Sequence, residues 1–321
     1  MFSKSTVVFC LVFVFIYQRI DASASTIQDF VDNLITLKTG PEELVSSYRG
    51  GIGDEIYLDT EEFNAYPPIT HVVNFYHNFI LENNFTRVLE VGPGGSPMTN
   101  LSTHVIDHQL EKWGIQGVVA WNIDMGVDKI PVDDNYFDFV FCRHVLEDLN
   151  NPLDAFNEIK RVAKNGYVET PSPQIEALLI GGWNNPRLHK GRGWHHHRFL
   201  LWSEVSTNTL YALPKYPLLD FIQPASVFGH RDTERQAVEL CSTYSNMWNN
   251  YYAWIDPNIS APTAGYISGV NTNAEMVELK ADAEFEFEDL SAEGAYARHL
   301  RAGIVRSMNY SIDLFTRYQM Y

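Results

Sequence analysis

Arg87-Val88-Leu89-Glu90-Val91-Gly92-Pro93-Gly94-Gly95-Ser96-Pro97 is an apolar strand that runs into a glycine-rich turn. Glycine has no Cβ, so the backbone of such a turn can approach a ligand where other residues would collide. In a doubly wound α/β sheet this turn lies outside the carboxyl end of the first strand, where nucleotide-containing cofactors sit. Two features argue against a dinucleotide. The G-x-G-x-x-G spacing is absent, and Pro97 stands where a pyrophosphate-binding helix needs free N–H groups. Glu90, near the strand end, is also poorly placed beside a diphosphate and better suited to a cofactor carrying a positive charge and an amino group.

Outward from this turn the texture is that of an α/β domain with a mostly parallel sheet: short apolar runs separated by turns and helices. Strands are expected at 87–91, 103–106, 117–123, 137–142 and 166–169. A helix over 152–163 is opened by Asn150 or Asn151 as cap, with Pro152 at its first position. Upstream, Ile27, Phe30, Val31, Leu34 and Ile35 recur at helical spacing, and a second helix is expected from about Ile69 to Glu82. Downstream, Val227-Phe228, the aromatic stretch Tyr244 to Trp254 and the alternating Glu284-Phe285-Glu286-Phe287-Glu288 suggest further strands, and 292–318 reads as a final helix. The expected organisation is a leader over 1–24, a helical segment over 25–84, the α/β domain over 85–225 and a C-terminal extension over 226–321.

The 321 residues carry 40 acidic against 23 basic side chains, a net charge of -17, with 45% hydrophobic and 20% charged residues. That composition excludes a wholly disordered, fibrous or polytopic membrane protein. The acidic balance disfavours nucleic acid, because no segment shows the sustained Lys/Arg surplus that phosphate binding needs. Lys4, the apolar run Val7 to Tyr17 and the small-x-small pattern Ala22-Ser23-Ala24 form a leader, read either as a cleaved signal peptide or as a signal anchor. Both readings send the body into the secretory route, or to a plastid reached through it. No stable membrane span is expected after cleavage. Beyond the leader only Cys142 and Cys241 remain, which allows at most one disulfide. Sequons begin at Asn84, Asn100, Asn258 and Asn309 and could accept glycans in that compartment.

Several blocks together resemble a family. Glu90-x-Gly92-x-Gly94 is similar to motif I of class I S-adenosylmethionine-dependent methyltransferases. Lys129-Ile130-Pro131-Val132-Asp133-Asp134-Asn135-Tyr136-Phe137-Asp138-Phe139-Val140, then His144-Val145-Leu146-Glu147-Asp148, then Ala155-Phe156-x-Glu158-Ile159-x-Arg161-Val162 resemble successive blocks of its type 11 methyltransferase domain. The likeness runs from about Val88 to Ser172. It implies a Rossmann-like methyltransferase fold with S-adenosyl-L-methionine as cofactor. Glu90, Gly92, Gly94 and Gly95 would line its methionine end. Asp107 would accept from both ribose hydroxyls, a carboxylate offering two acceptors to two vicinal donors, and Asp124 would stand near the adenine amino group. Arg143 and His144 would lie near the sulfonium and the substrate, with His144 as the group that removes a proton from the acceptor, a small molecule or glycan. Asp107 can instead be a turn residue, and Asp124 part of an Asx turn before Gly126.

The chain also departs from that pattern. Ser96 replaces a third glycine, Asp148 replaces a second histidine, and only about ten residues from His108 to Gly117 are left for the crossover between the second and third strands. A glycan on Asn100 would obstruct the cofactor loop, so Asn100 is expected to be unoccupied. These departures keep a second reading open, a catalytically inactive domain used for binding or interaction. Glu169 reads as an acid/base group or, by preference, as a core carboxylate. His189, His195, His196 and His197 with Trp183 and Trp194 suggest either a metal site or a substrate-facing loop. The loop is preferred: neighbouring histidines on a strand point to opposite faces unless a tight turn intervenes, and no nearby carboxylate completes a ligand set. A calcium role for the Glu run at 284–288 is weaker than an exposed strand face.

Overall fold

The computed structural model describes residues 58–59, 71–94, 101–181, 191–194, 196–204, 206–215, 219, 241, 245–259, 274–279 and 295–318. In chain order its strands are β1 (Leu58–Asp59), β2 (Val88–Val91), β3 (His104–Asp107), β4 (Val119–Asn122), β5 (Phe139–Arg143) and β6 (Gly166–Pro171). They continue with β7 (Leu179–Gly181), β8 (Gly191–Arg192), β9 (Phe199–Glu204), β10 (Thr209–Pro214), β11 (Asn249–Trp254) and β12 (Glu275–Glu278). The helices are α1 (His71–Glu82), α2 (Leu110–Trp113), α3 (Pro152–Val162), α4 (Pro173–Ala177) and α5 (Ala295–Tyr318).

The principal sheet has the order β11-β6-β5-β2-β3-β4, and all of its strands are parallel except β11, which pairs antiparallel with β6. This is the expected α/β, doubly wound and mostly parallel Rossmann-like sheet. Its inner strands are apolar on both faces because both faces are covered. Along β5, Phe139 and Phe141 join Val88 and Tyr167 against Tyr76, Phe79 and Ile80 of α1. The alternate residues Val140 and Cys142 join Leu89, Val91 and Val168 against Phe156, Ile159 and Val162 of α3. The strand period of two thus divides one sequence run between two cores.

Asn151 occupies the cap position of α3, but its side chain makes no capping bond. Its amide instead donates to Gly126 O at 3.3 Å and ties the start of α3 to the turn after β4. The crossover from β3 to β4 is as short as its length requires: the single turn α2, closed by Gly114 at φ 60°. As the edge strand, β4 leaves Val119 and Asn122 exposed. The aromatic run before Trp254 forms β11, buried along its whole length.

A second sheet, β12-β10-β9, was not expected from the sequence. Its Leu201, Leu210, Ala212 and Met276 extend the α3-side core, so residues far beyond the glycine turn complete the same hydrophobic unit. Val227-Phe228, the 284–288 alternation with its calcium reading and the helix near 27–35 lie outside the described residues. Cys142 and Cys241 are both buried, free thiols. Among the described residues, no helix is long and apolar enough to cross a membrane.

Candidate active site at the carboxyl ends of the strands

The carboxyl ends of β2, β3, β4, β5 and β6 bring together most of the residues singled out in the sequence. After β2, Gly92 turns at φ +66° and Gly94 at φ +59°, a region that L side chains rarely adopt. The Gly92 N–H donates to Ile106 O at 2.7 Å, which fixes the turn against β3. Among the described residues nothing lies within 4 Å of the place a Gly94 Cβ would occupy, so the backbone there presents an open face. Gly95 lies outside the described residues, as do Asn100, Ser96, His189, His195 and Trp183.

Glu90 is buried, and Ser102 Oγ donates to its Oε2 at 2.8 Å. Asp107, also buried, ends β3. Its Oδ1 accepts from the Gln109 N–H at 2.8 Å, so the turn role is real. Among the described residues Oδ2 accepts no hydrogen bond, which leaves that atom for a ligand. Asp124 is exposed. The turn that follows is closed by Asp128 Oδ2 accepting from the Asp124 N–H at 3.0 Å, so Asp128 supplies the side-chain-to-backbone bond there.

At β5 and β6 the chemistry is ionic. Arg143 and Glu169 are register partners across the two strands. Arg143 Nε donates to Glu169 Oε2 at 3.0 Å and Nη2 to Oε1 at 2.9 Å, a two-pronged pair. Asn249 Nδ2 from β11 donates to Oε1 at 2.8 Å, and the Tyr167 hydroxyl donates to Oε2. Burial opposes ionisation of Glu169, yet Arg143 and then His144 outweigh it and hold the carboxyl down at about 2. Glu169 is therefore the hub of a core network.

His144 takes φ +52° directly after β5. Its Nε2 lies 3.3 Å from Glu169 Oε1 and its Nδ1 3.4 Å from Glu147 Oε1. Burial disfavours its charge, but Glu147 and Glu169 overcome that and raise it to about 9. At neutral pH His144 is a cation, the opposite of the state that proton removal requires. Glu147 and Asn249 escaped the sequence reading. Adjacency of Glu147 to the histidine block was the available signal for one, whereas Asn249 reaches the site only because β11 closes the sheet.

The sign of each shift fixes a pH dependence. Glu169 is depressed from 4.5, so its contribution to stability is present above that value and is lost as pH falls towards about 2. His144 is raised from 6.5, so its contribution is complete below 6.5 and disappears as pH rises through about 9. Melting temperatures across a pH series should decline on both limbs. His144→Gln should flatten the limb between 6.5 and 9; an unchanged alkaline limb in that variant would refute the assignment.

Residues 89–168 match a family model described as methyltransferase domain. The chain contains a methyltransferase domain. No curated protein sequence matches it significantly. Among solved structures, this chain is similar to an S-adenosylmethionine-dependent methyltransferase from Aquifex aeolicus, at 22% identity over 34% of this chain and 69% of that one, with a TM-score of 0.24. Similar proteins from Archaeoglobus fulgidus (18% identity, 36% and 57% coverage, TM-score 0.29) and Clostridium acetobutylicum (12%, 32% and 51%, TM-score 0.26) carry the same description. The chain spans about half to two thirds of the length of these structures. The methyltransferase domain matched by the family model contains Glu90, Gly92, Gly94, Asp107, Asp124, Arg143 and His144.

Proposed function

We propose that this chain transfers a methyl group from S-adenosyl-L-methionine to a small molecule or glycan. The supporting observations are the bare backbone at Gly94, in the turn that Gly92 N–H ties to β3, and the buried Asp107 that ends β3 with its open Oδ2, both within the methyltransferase domain. A Cβ-free cradle and a carboxylate acceptor suit a ligand with vicinal hydroxyls, so the residues present fit the cofactor. Glu90, Gly92, Gly94, Asp107 and Asp124 would hold it. When bound, that cofactor supplies a methyl group already activated on sulfonium. The chain's own work is then to orient the acceptor and exclude water. Arg143 and Glu169 stiffen the ends of β5 and β6, and His144 presents positive charge beside them.

The leader and the exposed Asn84 and Asn258 support placement of this activity in the secretory route. A catalytically inactive domain of the same fold, used for binding or interaction, is the second reading, and the placement of His144 between Glu147 and Glu169 favours it. Calorimetric titration with S-adenosylmethionine should show saturable binding, and Asp107→Ala should weaken it roughly ten- to a hundredfold, the value of a lost hydrogen bond to a charged group. A correctly folded protein that binds none would overturn the transfer reading and leave the second. Binding without formation of S-adenosylhomocysteine across a panel of hydroxylated acceptors would select the second.

A further inference from the structure

The histidine run and the segment after β5 meet in space. His197 N–H donates to Trp194 O at 3.2 Å, a tight turn that brings the rings of His196 and His197 to 4.4 Å between centroids instead of setting them on opposite faces. The carboxylate that the sequence did not supply comes from Asp148. Its Oδ1 lies 3.9 Å from His196 Nε2 and 4.0 Å from His197 Nε2. These separations are too long for hydrogen bonds. They suit two donors sharing one ion at metal–ligand lengths of about 2.0–2.2 Å, which places donor atoms roughly 3–4 Å apart.

Three further features show a built site. His197 Nδ1 is 2.6 Å from Glu176 Oε1, a bond that orients the ring and leaves Nε2 facing Asp148, as the outer carboxylate of a metal-bound histidine does. Glu176 is itself held by Lys215 Nζ at 2.5 Å. Asp148 Oδ1 is buried without a hydrogen-bond partner among the described residues. The adjacent Glu147 is almost wholly buried, with Oε1 3.4 Å from His144 Nδ1 and Oε2 without a hydrogen-bond partner among the described residues. A buried carboxylate without a hydrogen bond is costly. A cation at the neighbouring triad would offset that cost.

We propose that Asp148, His196 and His197 bind one divalent transition cation. Two imidazoles with one carboxylate suit ions of the zinc or manganese kind better than magnesium or calcium, which prefer oxygen donors throughout. Three protein ligands leave at least one coordination position for water or an oxygen-bearing ligand, and the exposed side of His196 leaves that position open to solvent.

The test uses the full chain stripped with a chelator and titrated separately with zinc and manganese by calorimetry, with circular dichroism to verify folding. One ion per chain is expected, with affinity at least tenfold lower in His196→Ala and in Asp148→Asn, and unchanged in His108→Ala, an exposed histidine outside the cluster. His196 is two-thirds exposed, so its replacement leaves the core intact. No saturable binding of either ion by the folded chain, or wild-type affinity in both cluster variants, overturns the proposal.

Discussion

Glu169→Gln is expected to lower unfolding stability by about 3–5 kcal/mol, the cost of breaking a buried ion pair from one side. The substitution preserves shape and removes charge, leaving Arg143 and His144 without the carboxylate that both face. Asn249 and Tyr167 lose a charged acceptor in the same step. Urea denaturation of the variant should show this loss, and Arg143→Met combined with Glu169→Gln should recover part of it, since the guanidinium is then no longer stranded. A Glu169→Gln loss below about 1 kcal/mol would mean that the network does little for folding and that the pair resembles an exposed one. The effect also reaches the site: Arg143 ends β5 and Glu169 faces His144, so loosening the pair displaces His144.

The strands β2, β3, β5 and β6 were legible because they are buried almost throughout, and such strands read as unbroken apolar runs, whereas the edge strand β4 is mostly exposed. Glu90, Gly92, Gly94 and Asp107 were legible for the same reason, since each falls at or just beyond a strand end that the pattern marks. The second sheet was not. Phe199 to Trp202 looks like any apolar patch in a loop until β10 pairs with it and β12 pairs with β10. The role of Glu169 depends on donors from β5, β6 and β11, and no spacing in the chain announces that meeting. In the sequence Asp148 stands apart as a departure from the family pattern, and His196-His197 as a histidine run without a carboxylate. Tertiary folding supplies the partner that local reading denied.

Gly92→Ala is expected to be the most damaging small change at the proposed cofactor turn, and comparison with Gly94→Ala isolates the reason. Both positions have positive φ, so each alanine carries a backbone cost of about 1–2 kcal/mol. Among the described residues only at Gly92 does the new Cβ meet a neighbour, Val145 Cγ2 at 2.3 Å, which must move. Overpacking of that kind adds about 1–3 kcal/mol. Val145 follows His144, itself held at positive φ, so the displacement is passed to the cationic histidine between Glu147 and Glu169. Denaturant melts should therefore rank Gly92→Ala below Gly94→Ala, and S-adenosylmethionine titrations should show a loss of more than tenfold for Gly92→Ala. Adding Val145→Ala to Gly92→Ala should return the collision cost and leave the backbone cost in place. Equal losses for the two single variants would show that left-handed backbone alone, not contact with the strand β5 exit, demands glycine at this turn.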